Sequence, residues 1–289
     1  MVRADELRIV QFIHPGKEQT KHRNGVSPWG RTSTPHGRKF MLNEGGFVRN
    51  GSNEKGMLCF WGEYEGPTFV RDLERVRGPW WPHTVHTIAY HEPASLEGLW
   101  DTDPFVFGDR FLYNGCQQHT AFNREPPTET LLRRLAPGSV ILFGSSQGGY
   151  FILDTLLVVG SFIDYPNGDY AALEGKVPAE YFNLGLHPQK LSEPTVDSYR
   201  LYQGATYSEQ IGQMFSFTPC RAADEVTPVF LRPRIELDGI ITQSLTQGKK
   251  STLIPTLETM HSLWVRIYDQ VFAQGLAAAH HIEMKPRRI

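Results

Sequence analysis

Apolar and polar positions alternate at the two-residue period of a half-buried strand in several stretches of this chain. Residues 7–13 alternate loosely and run into His14-Pro15-Gly16, which predicts a strand ending in a loop. Strand-like pieces recur at 56–65, 83–90 and 105–113, each closed by Gly, Pro or Asn. Residues 139–143 make a short apolar run of the kind covered on both faces, and a Gly-rich turn follows at 144–149. Residues 150–162 are apolar again but rich in aromatic and β-branched side chains, which favours a strand over a helix. Shorter strands are predicted near 199–202 and 214–217.

Helical spacing is found in two places. Residues 128–135 place Leu131, Leu132 and Leu135 on one face, with Thr128 as N-cap and Pro137-Gly138 as the stop. Residues 255–274 carry Leu257, Met260, Trp264, Ile267 and Val271 as one apolar stripe, with Pro255 in the first turn and Gly275 just past the end. That stripe is core packing, so Trp264 is not read as a ligand platform. With no repeat and no dividing linker, the expectation is one domain over residues 1–289 of mixed α/β or α+β class. It has a strand-rich central sheet and a long C-terminal packing helix.

Composition changes this picture little. At 289 residues the chain can bury a sizeable core, and its 27 Gly and 20 Pro favour a loop-rich fold. No run approaches the roughly 20 apolar residues of a membrane helix, and the N-terminus lacks a signal peptide's apolar core, so no membrane partner and a cytoplasmic location are expected. Cys59, Cys116 and Cys220 are too scattered for a disulfide framework or a paired-cysteine metal site. The formal charge of -2 hides an asymmetry: the loop-rich segment 14–40 carries Lys17, Lys21, Arg23, Arg31, Arg38 and Lys39 against Glu18 alone. Such a segment is either a solvated loop or a track for phosphates, and DNA is the partner it suggests.

The chemistry concentrates in residues 100–111, where Asp101, Asp103 and Asp109 lie among Phe105, Phe107 and Phe111, just before Asn114, Cys116 and Gln117. If 101–107 is extended, Asp101, Asp103, Phe105 and Phe107 share a face, although Pro104 interrupts the run. Two carboxylates so placed divide into acid and base when burial separates their pKa values. The plainer alternative is that both aspartates cap turns.

Three short motifs resemble the uracil-DNA glycosylase superfamily, in the same order along the chain. Asp103-Pro104-Phe105 resembles its Asp-Pro-Tyr segment, Ile141-Leu142-Phe143-Gly144 its apolar strand ending in Trp-Gly, and His187-Pro188-Gln189-Lys190-Leu191-Ser192 its His-Pro-Ser-Pro-Leu-Ser loop. Thr102 and Val106 stand where that family has Gln and His, and no Asn is spaced like its base-reading one. The resemblance implies a DNA glycosylase with Asp103 as catalytic carboxylate and His187 as donor to the departing base, and the carboxylate pairing adds Asp101 as a second catalytic candidate. Phe105, Asn114, Gln117, Trp80 and Trp81 would form the base pocket and wedge. No cofactor is implied.

Two other readings stay open. Gly144-Ser145-Ser146-Gln147-Gly148 after an apolar strand fits the nucleophile elbow of a serine hydrolase, with Ser146 as nucleophile, Asp224 or Asp238 as acid and His261 as base. A tight hairpin explains the same residues. A non-catalytic module that recognises modified nucleic acid is the other. His83, His86 and His91 could be compared with zinc ligands, but His83 and His86 would face opposite sides of a strand, and no metal is expected.

Overall fold

The computed structural model describes residues 5–17, 38–63, 68–77, 82–90, 103–120, 127–147, 149–182, 186, 196–223, 230–245 and 248–283. These contain twelve strands: β1 (Arg8–Lys17), β2 (Arg38–Arg49), β3 (Ser52–Glu63), β4 (Thr68–Arg77), β5 (Pro82–Tyr90), β6 (Leu112–Asn114), β7 (Val140–Gln147), β8 (Tyr150–Pro166), β9 (Ser198–Gly204), β10 (Thr218–Ala222), β11 (Gly248–Leu253) and β12 (Ala277–Ile282). The single central sheet expected from the sequence is instead two six-stranded sheets. One runs β11-β1-β7-β8-β9-β6 and the other β12-β10-β3-β2-β5-β4. β12 also pairs with β2, so β2, β3, β10 and β12 close into a small barrel. Both sheets are mixed: β1 lies parallel to β7, and β2 to β5, while the other pairings are antiparallel.

Local sequence accounts for much of this. Arg49 and Ser52 pair across a two-residue loop of Asn50 (φ 51°) and Gly51 (φ 76°), the positive-φ pair that joins two strands without splaying them. In β8, residues 151–159 are buried on both faces, which explains their unbroken apolar run. β1 is likewise covered on both sides. Val10 and Phe12 pack in a core shared with Met41 and Phe60 of the second sheet, and Ile9 and Ile13 in a core shared with the C-terminal helix.

That helix (Leu257–Ala273) buries Met260, Leu263, Trp264, Ile267 and Val271, and Trp264 donates its indole N–H to the Phe215 carbonyl at 3.1 Å. Its N-cap is Thr256, so Pro255 precedes the cap instead of entering the first turn, and Gly275 (φ 75°) follows the end as expected. Residues 128–135 shrink to one turn of 3-10 helix, Leu131–Arg133, capped by Thr130, because Thr128 pairs with Thr120. Residues 105–113 are not one strand either. Phe105 and Leu112 exchange both backbone hydrogen bonds at 2.8 Å, so the segment folds back on itself and β6 is only three residues long.

The Gly-rich stretch is part of a hairpin. Ser146 pairs with Phe151, and the strand β8 follows where a nucleophile elbow requires a helix. Gly144 has its own structural reason: a Cβ there would stand 2.2 Å from the Ile152 carbonyl oxygen and 2.7 Å from the Phe151 ring. Gly149 (φ 86°) has open space around it. Gly144→Ala is therefore expected to cost about 1–3 kcal/mol by overpacking, and Gly149→Ala about 1 kcal/mol through its backbone conformation alone, as read by urea unfolding.

Candidate functional site

Asp103 does not sit on a surface turn. It is 4% exposed, its Oδ1 accepts the Asn114 N–H at 3.4 Å, and the peptide bond that follows it is cis. Two side chains from elsewhere in the sequence meet it. His14 arrives from β1 and Cys116 from the turn after β6, and one nitrogen, one oxygen and one sulfur of the three residues all lie within 4.8 Å of one another. His14 is buried and Cys116 half-buried.

Each group is placed by an irregularity in a strand or turn. Between Ile13 and Lys17 the β1–β7 register shifts: Ile13 pairs with Gly144 but Lys17 with Ser146, so β1 carries extra residues opposite β7. Bulges of this kind bend a strand and re-aim a side chain. His14 lies in this interval, its ring 5.2 Å from that of Phe12. Cys116 tops two tight turns: its own N–H reaches the Asn114 carbonyl at 2.9 Å, and the Gln118 N–H reaches the Gly115 carbonyl at 2.9 Å. These require positive φ at Gly115 (76°) and at Gln117 (57°), an uncommon conformation for a non-glycine residue.

The turn is tied down on every side. The Tyr113 hydroxyl donates to the Cys116 carbonyl. Thr130 Oγ1 and Lys249 Nζ both donate to the Gln117 carbonyl, at 2.7 and 3.2 Å, and Lys249 also reaches Gln117 Oε1 at 3.3 Å. Gln118 is fully buried and exchanges two hydrogen bonds with the Arg200 backbone, at 2.6 and 3.1 Å. Phe12, Tyr113 and Phe143 form a three-ring floor with centroids 5.3 to 6.1 Å apart. Burial lowers the Lys249 ammonium from its ordinary value, and the charge of nearby Cys116 acts the other way.

The sequence-predicted residues fare differently. Asp103 is at the centre. Asn114 is fully buried, accepting from the Tyr165 hydroxyl at 2.9 Å and donating its backbone N–H to Asp103. Its side chain therefore supports the site from behind. Phe105 is 1% exposed, its ring packed 4.9 Å from Tyr181 and 5.4 Å from Phe107, so it belongs to the core and presents no open stacking face. Gln117 holds the Cys116 turn. Asp101, His187, Trp80, Trp81, Lys21, Arg23, Arg31, His91 and Asp224 lie outside the described residues, and for Lys17, Arg38, Lys39, His83 and His86 only the strand backbone is described. His14, Cys116 and Lys249 were not among the expected site residues. Cys116 and His14 each stand within a segment the sequence already singled out, but nothing in their spacing joins them.

Comparison with protein families, with curated proteins and with solved structures finds no match. No helix among the described residues is long and apolar enough to cross a membrane.

Two outcomes follow. Because Ser146 lies within a hairpin strand, a fluorophosphonate probe should leave the chain unlabelled, as read by intact-mass spectrometry; labelling at Ser146 would restore the hydrolase elbow. The site loop also leans on Arg200, which pairs with Asp164 and Asp5. Burial raises the pKa of Asp164, but hydrogen bonds from Arg200 and Arg133, with their charges, outweigh it and the net shift is downward. A depressed carboxylate stabilises the fold above its ordinary pKa and loses that contribution as pH falls through the folded value. Stability should therefore drop below about pH 4, and Asp164→Asn should flatten that drop in urea titrations.

Proposed function

We propose that the chain is a hydrolase whose reacting centre is the His14, Asp103 and Cys116 cluster, and that the bond it cleaves joins a nucleobase to its sugar in DNA. The observation that carries the reading is the burial of the Asp103 carboxylate within 4.8 Å of an imidazole and a thiol. Convergent polar groups over an aromatic floor are what hydrolysis of a flat polar substrate needs.

The reaction adds one water across one bond. The water oxygen bonds to the sugar carbon as the bond from that carbon to the base nitrogen breaks; one water proton stays on the new hydroxyl and the equivalent of the other ends on the base nitrogen. An anionic site stabilises the cationic sugar and a donor receives the departing base. His14 and Cys116 stand beside Asp103 at that centre, while His187, the donor expected from the sequence, lies outside the described residues. Lys17 ends β1, and Arg38 and Lys39 open β2; with the other basic residues of segment 14–40 they would pair with the phosphates of a nucleic-acid partner.

The test is release of free bases from a panel of unmodified and base-modified DNAs, followed by mass spectrometry, with folding of each variant checked by circular dichroism. Asp103→Asn and His14→Ala should each slow release by about 100-fold or more. Release by both variants at the wild-type rate would contradict the proposal. DNA binding with no base released by the wild type would favour the non-catalytic module.

A further inference from the structure

The three side chains of the site can be joined in two ways, and their arrangement separates them. In a thiol, imidazole and carboxylate relay, the imidazole lies between its partners, so that thiol and carboxylate stand on opposite sides of the ring. Two hydrogen bonds plus the ring then hold sulfur and oxygen about 7 Å apart. Donor atoms around a tetrahedral first-row metal, at about 2.0–2.3 Å from the ion, are only about 3.5 Å from one another. In this site every pair among the His14 nitrogen, the Asp103 oxygen and the Cys116 sulfur is within 4.8 Å. That triangle is too compact for a relay and close to a ligand set.

We propose that His14, Asp103 and Cys116 bind one divalent first-row metal ion, of which zinc fits the donors best, with a fourth position left for water. One imidazole, one carboxylate and one thiolate are a three-ligand set of the kind found in catalytic zinc sites, and sulfur together with nitrogen selects against magnesium and calcium. The charges also balance. A divalent cation neutralises the two anions Asp103 and Cys116, so the neighbouring Lys249 ammonium faces no net positive charge.

The surroundings are those of an oriented ligand sphere. The Asn114 N–H holds Asp103 Oδ1, the Asn114 side chain is itself held by Tyr165, and the Cys116 carbonyl is held by Tyr113. Outer contacts of this type fix the direction of first-row metal ligands. No sign of the set is visible in the sequence, because its members come from β1, from the segment before β6 and from the turn after it, with none of the short spacings that mark zinc fingers or helical zinc motifs. A metal there would bring the pKa of its bound water to about 7, which supplies the hydroxide that hydrolysis at this site requires.

This inference rests on the location of the proposed reacting centre but is tested without any substrate. The full-length chain is stripped with a chelator, reloaded with zinc or cobalt(II), and measured by elemental analysis and absorption. The wild type should bind one equivalent of zinc, and cobalt should give a thiolate charge-transfer band in the near ultraviolet. Cys116→Ser should abolish that band, His14→Ala should lower the stoichiometry, and Cys59→Ser, in β3 and outside the three-residue cluster, should change neither. No tight binding by folded wild type, or an unchanged band in Cys116→Ser, would overturn the metal site. Metal binding with no base release would uphold the metal site and overturn the hydrolase reading; base release with no metal binding would do the opposite.

Discussion

Burying the carboxylate of Asp103 is the constraint around which the site is arranged. Removing a charged group from water costs several kcal/mol even after relaxation, and the fold must offset that cost locally. Asp103 is met by a backbone N–H from Asn114, a histidine from β1 and a thiol from the turn after β6. Each of these depends on a departure from regular structure: a register shift in β1, a segment that folds back between Phe105 and Leu112, and consecutive positive-φ turns at Gly115 and Gln117. Local irregularity concentrated at one point, inside an otherwise regular pair of sheets, is where function is expected to lie.

The sheets supply the rigidity that such a site needs. β1 lies between β11 and β7, and its two faces are packed on different cores, so the strand that carries His14 has little freedom to move. β11 contributes Lys249, which clamps the Cys116 turn through Gln117, while Arg200 of β9 grips Gln118 and is itself locked to Asp164 and Asp5. Arg200 also stacks 3.6 Å over the Phe162 ring, which joins the ion pairs to the hydrophobic core. The donors are thus held from behind by hydrogen bonds to backbone and by aromatic packing, an arrangement suited to a preorganised centre.

Strands with a strong apolar pattern were legible from sequence because burial writes a regular period: β1, β7, β8 and β9 fall where alternation or an apolar run placed them, and the C-terminal helix falls within its stripe. β2 was legible in principle through Asn50-Gly51, the strongest short hairpin signal in the chain. β11 and β12 carry Gly-Lys-Lys-Ser-Thr-Leu and Ala-Ala-Ala-His-His-Ile, which have no strand period; pairing with β1 and with β10 and β2 decides their state. Phe105 reads as a pocket residue only if 101–107 is extended, and the fold-back at Leu112 removes that premise. The segment around Asp103 was visible as chemistry, but its partners were not. A histidine closing one strand and a cysteine in a turn become one centre only through tertiary packing.

The most direct measure of the central claim is X-ray absorption at the metal edge of the zinc-loaded chain. The account predicts one sulfur at about 2.3 Å and three nitrogen or oxygen neighbours at about 2.0–2.1 Å, with the sulfur lost in Cys116→Ser. A first shell without sulfur, or one that survives that substitution intact, would contradict it.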